Sequence, residues 1–242
     1  MTLLLLAGTG EAQAIAKGLA ERGIAAIASL SGATRSPRAL DLPTRVGGFG
    51  GADGFRAYLD EAGITAVLDA THPFAHRISH RTATICGEKN IPYCQVLRPE
   101  WQPEPGDDWT FLENEAAAAG HITPGATVFL ATGRQGLDRF ANLSGCRLIC
   151  RVIDPPDRDF PFPNGRFLIG RPPFSLEDEV RVFTDLGVEW LIAKNAGGAA
   201  SRTKLMAARE LGIKVAMINR PPQPDTPKVR TVEEALAWAE AV

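Results

Sequence analysis

Long apolar runs are missing from this 242-residue chain, and cysteine, methionine, histidine and tyrosine are scarce, with 4, 3, 4 and 2 copies. No apolar stretch approaches the roughly 18 residues that a transmembrane helix needs. The opening Leu3-Leu4-Leu5-Leu6-Ala7 is too short for a signal-peptide core and has no basic residue before it. It reads as a buried parallel strand at the N-terminus. Cys86, Cys94, Cys146 and Cys150 contain no C-x-x-C pair, and their gaps suit neither a zinc finger nor a disulfide scaffold. Reduced, mostly buried thiols in a cytoplasmic protein are the expectation. An excess of one charge is also lacking. Lys plus Arg is 26 against 28 for Asp plus Glu, a net charge of −2, which argues against a nucleic-acid or membrane-surface binder. With 45% hydrophobic and 22% charged residues the chain is an ordinary globular one and not a disordered one.

What is present is a repeating pattern. Short apolar runs at 3–7, 24–30, 66–70, 92–97, 127–131, 147–152, 189–193 and 213–218 alternate with helical segments. The helical segments are 11–22, 53–62, 74–89, 114–120, 135–141, 175–186, 201–211 and 231–241. This alternation predicts an α/β fold with mostly parallel sheets covered on both faces. The proline-rich stretch 98–109 marks the crossing between two halves, with a boundary somewhere in 98–126. The expected division is 1–97 for a dinucleotide-binding domain and 98–242 for a second α/β domain. Residues 154–173 carry six prolines, which excludes a regular helix there. Another irregular stretch, 220–227, separates the last expected strand from the last helix.

The first strand runs into Gly8-Thr9-Gly10-Glu11-Ala12-Gln13 and then a helix. Gly8 permits a tight turn, Gly10 lets backbone approach a pyrophosphate, and the helix N-terminus offers free N–H groups. Gln13 stands where the fingerprint has its last glycine, so a purely structural turn is the alternative reading. The end of the second strand lacks the carboxylate that an NAD enzyme places there. Ser31, Gly32 and Arg35 offer a hydroxyl, backbone and a guanidinium instead, which suits the 2′-phosphate of NADPH. The alternative is that Arg35 and Arg38 are solvated loop charges. Gly48, Phe49 and Gly50 belong to a run with four glycines in five positions, whose backbone can pass close to a cofactor, a flexible surface loop being the alternative. The third strand ends in Asp69-Ala70-Thr71-His72-Pro73-Phe74-Ala75, with Thr71 expected to cap a helix. Thr71 and His72 therefore sit where open α/β sheets bind ligands. His72, His76 and His80 recur every four residues, but no H-E-x-x-H pattern accompanies them, so no metal site is expected.

In the second half, Thr132-Gly133-Arg134 and Lys194-Asn195-Ala196-Gly197-Gly198 follow strands, and Arg151 ends another. Arg134, Arg151 and Lys194 would line a surface suited to a substrate with several carboxylates, each having a surface ion pair as its alternative. A short-chain dehydrogenase is disfavoured. Tyr58 and Tyr93 stand four residues before Ala62 and Leu97, so no Tyr-x-x-x-Lys pair exists.

These motifs make the chain similar to the precorrin-6A reductase family of the corrin pathway to cobalamin. The likeness covers nearly the whole chain. It is carried by Gly8-Thr9-Gly10-Glu11-Ala12, Asp69-Ala70-Thr71-His72-Pro73-Phe74-Ala75, Ile91-Pro92-Tyr93, Arg98-Pro99-Glu100-Trp101, Phe129 to Arg134, Arg171-Pro172-Pro173-Phe174 and Lys194 to Gly198. Ala196 replaces the serine of the family's K-N-S-G string. The resemblance implies two Rossmann-like lobes with an active-site cleft between them, and NADPH-dependent reduction of one double bond in precorrin-6A. The substrate would be a tetrapyrrole rich in acetate and propionate groups, with neither nucleic acid nor membrane as partner and a monomer or small homo-oligomer as the assembly. Thr132, Gly133, Arg134, Arg151, Lys194, Asn195, Gly197 and Gly198 would face that substrate, and His72 and Lys194 are the candidate proton donors. Another NADP-linked reductase, or a non-enzymatic NADP(H) sensor, are the competing readings.

Overall fold

The structure, a computed structural model, describes residues 1–32 and 39–242. In chain order the first part is β1 (Leu3–Leu6), α1 (Gly10–Glu21), β2 (Ala26–Leu30), β3 (Thr44–Val46), α2 (Gly51–Glu61), β4 (Ala66–Asp69), α3 (His76–Glu88) and β5 (Tyr93–Val96). The middle part is β6 (Trp109–Leu112), a 3-10 helix over Glu115–Gly120, β7 (Thr127–Leu130), a second 3-10 helix over Leu137–Leu143, β8 (Arg147–Val152), β9 (Gly165–Ile169), α4 (Leu176–Leu186), β10 (Trp190–Lys194), α5 (Thr203–Leu211) and β11 (Lys214–Ile218). A return segment adds β12 (Lys228–Val229) and α6 (Val232–Ala241). Two compact units result, Met1–Pro99 with Pro221–Val242, and Glu100–Arg220. No helix among the described residues is long and apolar enough to cross a membrane.

The first unit holds a parallel six-stranded sheet in the order β12-β5-β4-β1-β2-β3. Its centre is apolar on both faces because helices cover both. Leu3 and Leu5 point to the face packed by Ala12, Ile15 and Leu19 of α1 and by Ala235, Leu236 and Ala239 of α6. Leu4 and Leu6, one residue out of phase, face Phe55 and Leu59 of α2 and Ile85 of α3. The strand order reverses between β1 and β4, which is where a doubly wound sheet opens its ligand crevice.

The second unit holds another parallel six-stranded sheet, β6-β11-β10-β7-β8-β9. Phe183 of α4 and Leu205, Ala207 and Ala208 of α5 pack on Phe129, Ile149, Leu191 and Val215 of one face. Here the reversal lies between β7 and β10.

Three expectations need correction. The second unit ends at Arg220, not at residue 242. The chain returns after it because β12 completes the first sheet beside β5 and because the small apolar face of α6 fits α1. The segments expected as helices over 114–120 and 135–141 are 3-10 helices, the second of them kinked at Phe140. Such short runs cannot repay the nucleation cost of an α-helix. Finally β3, β6, β9 and β12 were not expected, and each is the outermost strand of its sheet.

Candidate active site

At the reversal in the first sheet, β1 leads through Ala7, Gly8 and Thr9 into α1. Gly8 has φ +141°, a conformation that side chains disfavour. Thr9 is extended and caps the helix. Its hydroxyl accepts from the Ala12 N–H at 3.1 Å and donates to the Ala70 carbonyl at 2.8 Å. One side chain thus fastens the loop after β1 to the loop after β4. Helix geometry leaves the N–H groups of Gly10 and Glu11 without intrahelical acceptors. Gly10 has ordinary helical backbone, and a Cβ built there would meet nothing within 4 Å. Packing within the protein therefore does not require glycine at this position. Open space in front of an unsatisfied helix N-terminus fits a phosphate group, so the residues present suit a dinucleotide.

The loop after β4 is braced from below. Asp69 is fully buried, and its carboxylate accepts from the Thr71 N–H (3.0 Å), the Thr71 hydroxyl (2.7 Å) and the Tyr93 hydroxyl (2.8 Å). Burial and the neighbouring Asp69 push the Tyr93 phenol well above its usual range, so it stays a donor. Contrary to the expectation from sequence, Thr71 does not cap α3. A buried carboxylate two residues back claims both of its donors, and α3 starts after Ala75 with no side-chain cap. A turn closed by Ala75 N–H to the His72 carbonyl (2.7 Å) intervenes. His72 is exposed, and its Nδ1 accepts from the Phe74 N–H at 3.2 Å, which leaves the proton of the neutral ring on Nε2. His72 precedes α3, so its four-residue spacing from His76 and His80 does not set the three on one helical face. His80 lies with Nε2 3.1 Å from the Pro222 carbonyl.

Ser31 and Gly32 are exposed just past the carboxyl end of β2, while Arg35 lies outside the described residues. The glycine loop is organised by Arg45, which the sequence reading missed. Its guanidinium donates to the Ser29 hydroxyl (2.8 Å) and to the carbonyls of Gly47 (2.9 Å) and Gly48 (3.0 Å), and it stacks 3.9 Å over the Phe49 ring. Phe49 also packs on Phe55 and Tyr58, with centroids 4.8 and 5.1 Å apart. Its ring therefore anchors the loop, and the exposed backbone of Gly48 and Gly50 is what remains to meet a ligand. Glu11, in the first turn of α1, pairs with Arg98 at 2.8 Å.

At the reversal in the second sheet, Thr132, Gly133 and Arg134 follow β7, and Asn195 to Gly198 follow Lys194 of β10. The Thr132 hydroxyl is buried without a hydrogen-bond partner among the described residues, and Arg134 is exposed. Lys194 stands 4.0 Å from the buried Glu115, which also takes Arg139 at 3.1 Å. Burial lowers the Lys194 pKa, while Glu115 acts against that shift. Glu115 was not singled out from sequence. Arg151 differs from the expected substrate-facing cation. Two of its nitrogens bond to Glu179, and its guanidinium packs on the Phe129 and Phe174 rings. Asn195 is likewise internal, only 2% exposed. Its amide accepts from the Trp101 N–H (2.9 Å) and donates to the Trp101 carbonyl (3.1 Å). The Trp101 indole N–H then donates to the Gly198 carbonyl at 2.9 Å. A polar clamp thus shapes the loop, in which Gly198 is half-buried and Gly197, expected to face the substrate, is buried.

Comparison with known proteins agrees with this geometry. Residues 2–240 match the family model described as precorrin-6x reductase CbiJ/CobK. A precorrin-6A reductase of Rhodococcus erythropolis is 42% identical over 241 residues, which is 98% of this chain and 96% of that protein. One from Rhodobacter capsulatus is 39% identical over 237 residues, covering 98% of this chain and 94% of the relative. The solved structure titled CobK precorrin-6A reductase superposes with a TM-score of 0.96 at 38% identity, over 100% of this chain and 96% of that one. Two parallel sheets, a glycine turn at the reversal of the first and an end-to-end match together place this oxidoreductase in the precorrin-6x reductase CbiJ/CobK family.

Proposed function

We propose that the chain reduces one double bond of metal-free precorrin-6A, giving precorrin-6B, with NADPH as the cofactor. The relatives at 42% and 39% identity carry the name precorrin-6A reductase, which supports the substrate. The observation that carries the reading is the open, glycine-lined helix start at the β1–β4 reversal. It fits a dinucleotide phosphate in a chain whose family is one of reductases. The reduced nicotinamide, when bound, supplies a hydride to a ring carbon of the substrate. Everything else falls to the protein. Thr9, Gly10 and the N–H groups of α1 hold the phosphates. Ser31, Gly32 and Arg35 take the 2′-phosphate, since no carboxylate stands at the end of β2. Gly48 and Gly50 offer backbone at the neighbouring loop, and Thr71 and His72 border the crevice.

On the second unit, Thr132, Gly133, Arg134, Lys194 and Gly198 hold substrate carboxylates, with the buried Gly197 shaping the loop. The buried Thr132 hydroxyl has a donor to give, and Lys194 adds charge. Arg151 and Asn195 act on that surface from behind, because their polar atoms are engaged within the unit. Lys194, and His72 once its ring carries a second proton, are the residues able to give a proton to the ring. Much of the remaining work is positioning, which fixes two reactants in one geometry.

The test is direct. Purified protein is mixed with precorrin-6A and either NADPH or NADH, and loss of nicotinamide absorbance is followed together with the visible spectrum of the tetrapyrrole. NADPH oxidation that depends on precorrin-6A and outpaces NADH oxidation is the expected result. No oxidation of either dinucleotide would overturn the proposal, and turnover of cobalt-precorrin-6A alone would overturn the metal-free assignment. Arg35→Asp should weaken NADPH far more than NADH.

A further inference from the structure

Asp69 ends β4 as a fully buried carboxylate held by three neutral donors, with no cation paired to it among the described residues. Its Oδ1 takes both the N–H (3.0 Å) and the hydroxyl (2.7 Å) of Thr71, and its Oδ2 takes the Tyr93 hydroxyl (2.8 Å). A backbone N–H can only donate, so Oδ1 is an acceptor and the hydroxyl proton of Thr71 is directed inward, onto Asp69. A hydroxyl carries one proton and two lone pairs. The half-buried Thr71 therefore presents Oγ to any ligand as an acceptor alone. Donation to a carboxylate also strengthens Oγ as an acceptor, because hydrogen bonds in series polarise one another. No protein donor among the described residues takes up that capacity.

The backbone fixes where this acceptor stands. Leu6 and Asp69 are register partners, and the Ala70 N–H bonds the Leu6 carbonyl at 2.9 Å. Thr9 of the glycine turn bonds the Ala70 carbonyl at 2.8 Å. Thr71 is thus the next residue after the one fastened to the phosphate turn. A dinucleotide laid across a strand-order reversal has its pyrophosphate at the helix start and its two nucleoside halves over the strands on either side. With the adenosine half at β2, the nicotinamide half falls to β4. The first group beyond the pyrophosphate on that side is a ribose, whose hydroxyls are donors.

We propose that Thr71 binds the dinucleotide by accepting a hydrogen bond from a hydroxyl of the nicotinamide-side ribose, and that Asp69 is the positioning residue that keeps the Thr71 proton turned away from it. This rests on the reading that a dinucleotide occupies the β1–α1 turn. It adds a polarity to the site: a donor is wanted at Thr71.

The experiment is a calorimetric titration of the full chain, as wild type, Thr71→Val, Thr71→Ser, Asp69→Asn, Asp69→Ala and the double variant Asp69→Ala/Thr71→Val. Three probes are used: NADPH, 2′-phospho-ADP-ribose, which keeps the second ribose without nicotinamide, and adenosine 2′,5′-bisphosphate, which ends before it. Thr71→Val preserves shape and removes the acceptor, so it should weaken the first two probes by about 3- to 30-fold and leave the third unchanged. Thr71→Ser, which restores a hydroxyl, should bind all three as the wild type does. Asp69→Asn still offers Oδ1 to Thr71 and should keep NADPH affinity within about threefold of wild type, whereas Asp69→Ala frees the proton and should lose about as much as Thr71→Val. The double variant should bind no more weakly than the weaker single one, because Asp69 acts through Thr71. Should Asp69→Ala not fold, Thr71→Val and Asp69→Asn decide the matter between them. A brace that serves the loop alone predicts that Thr71→Val weakens all three probes alike or none, and either result would overturn the inference. Weakening of NADPH alone would overturn the ribose assignment, and additive losses in the double variant would overturn the role given to Asp69. Failure of the wild type to bind any of the three probes would instead overturn the underlying reading, so the two failures are distinguishable.

Discussion

Arg151 and Glu179 meet through two side-by-side hydrogen bonds of 2.7 and 2.6 Å, and their side chains are only 11% and 2% exposed. This is a fork-to-fork pair at the end of β8, clasped between the rings of Phe129 and Phe174. It ties α4 to the sheet. Removing one partner strands the other charge in a dry setting. Glu179→Ala should cost about 3–5 kcal/mol, whereas Arg151→Met/Glu179→Met should recover most of that. Guanidinium unfolding midpoints of the two variants decide the matter. Equal stability of Glu179→Ala and wild type would mean that the pair carries no structural weight.

Asn195 makes a comparable claim for the loop after β10. Both ends of its amide are used on one backbone unit, that of Trp101. Asn195→Asp keeps the acceptor but turns the donor edge into an anion facing the Trp101 carbonyl, while Asn195→Ala leaves both backbone groups unsatisfied. Either change should cost about 1–3 kcal/mol. Because Gly198 is held through the Trp101 indole, both should also raise KM for the tetrapyrrole more than they lower kcat. A kcat loss with KM unchanged would argue that Asn195 acts on the chemistry and not on the loop.

These two residues show where sequence reading stops. The eight apolar runs read from sequence are the eight interior strands, because a strand buried on both faces has no polar alternation to confuse the pattern. The four missed strands are all edges. At β3 and β12 only two or three residues pair, and β9 lies in a stretch dense in proline and glycine. The strand-end loops were legible, since glycine and threonine after an apolar run carry their own turn chemistry. The partners of the charged residues were not. Arg151 reads as a free cation until α4 brings Glu179 beside it, 28 positions later. Glu11 and Arg98 are 87 positions apart, and nothing local to either names the other. Asp69 and Tyr93 carried a faint signal, a carboxylate ending one buried strand and a phenol starting the next.

The four thiols make a pH-dependent prediction. All are buried and unpaired in disulfides, and burial pushes Cys86 and Cys150 up to about 12 and Cys94 to about 11, from an ordinary value of 9.0. Cys146 is raised by the same cause. At pH 8 the native thiolate fraction is minute, so a disulfide reagent such as Ellman's should label the folded protein slowly and release all four equivalents in guanidinium. The linkage sign follows. A folded-state pKa above the unfolded one means the native state holds protons that the unfolded state has lost, so these groups cost nothing below pH 9 and subtract stability as pH rises from there towards 12. The urea midpoint should fall across that window. Rapid labelling of a native thiol at pH 8 would contradict the burial seen here.

Two glycines separate a binding role from a packing one. At Gly10 a Cβ would meet open space, so Gly10→Ala should leave the unfolding midpoint within about 0.5 kcal/mol of wild type while weakening NADPH by about tenfold or more. At Gly54, in the first turn of α2, a Cβ would lie 1.8 Å from the Phe49 carbonyl oxygen, a backbone atom that cannot swing aside. Gly54→Ala must therefore displace either α2 or the glycine loop, at a cost of roughly 1–3 kcal/mol or more. Chemical melts and NADPH titrations of both variants check the contrast. Gly10→Ala losing stability without losing affinity would mean that the turn is glycine for the fold's sake, and the phosphate site would have to be sought elsewhere along the edge of the first sheet.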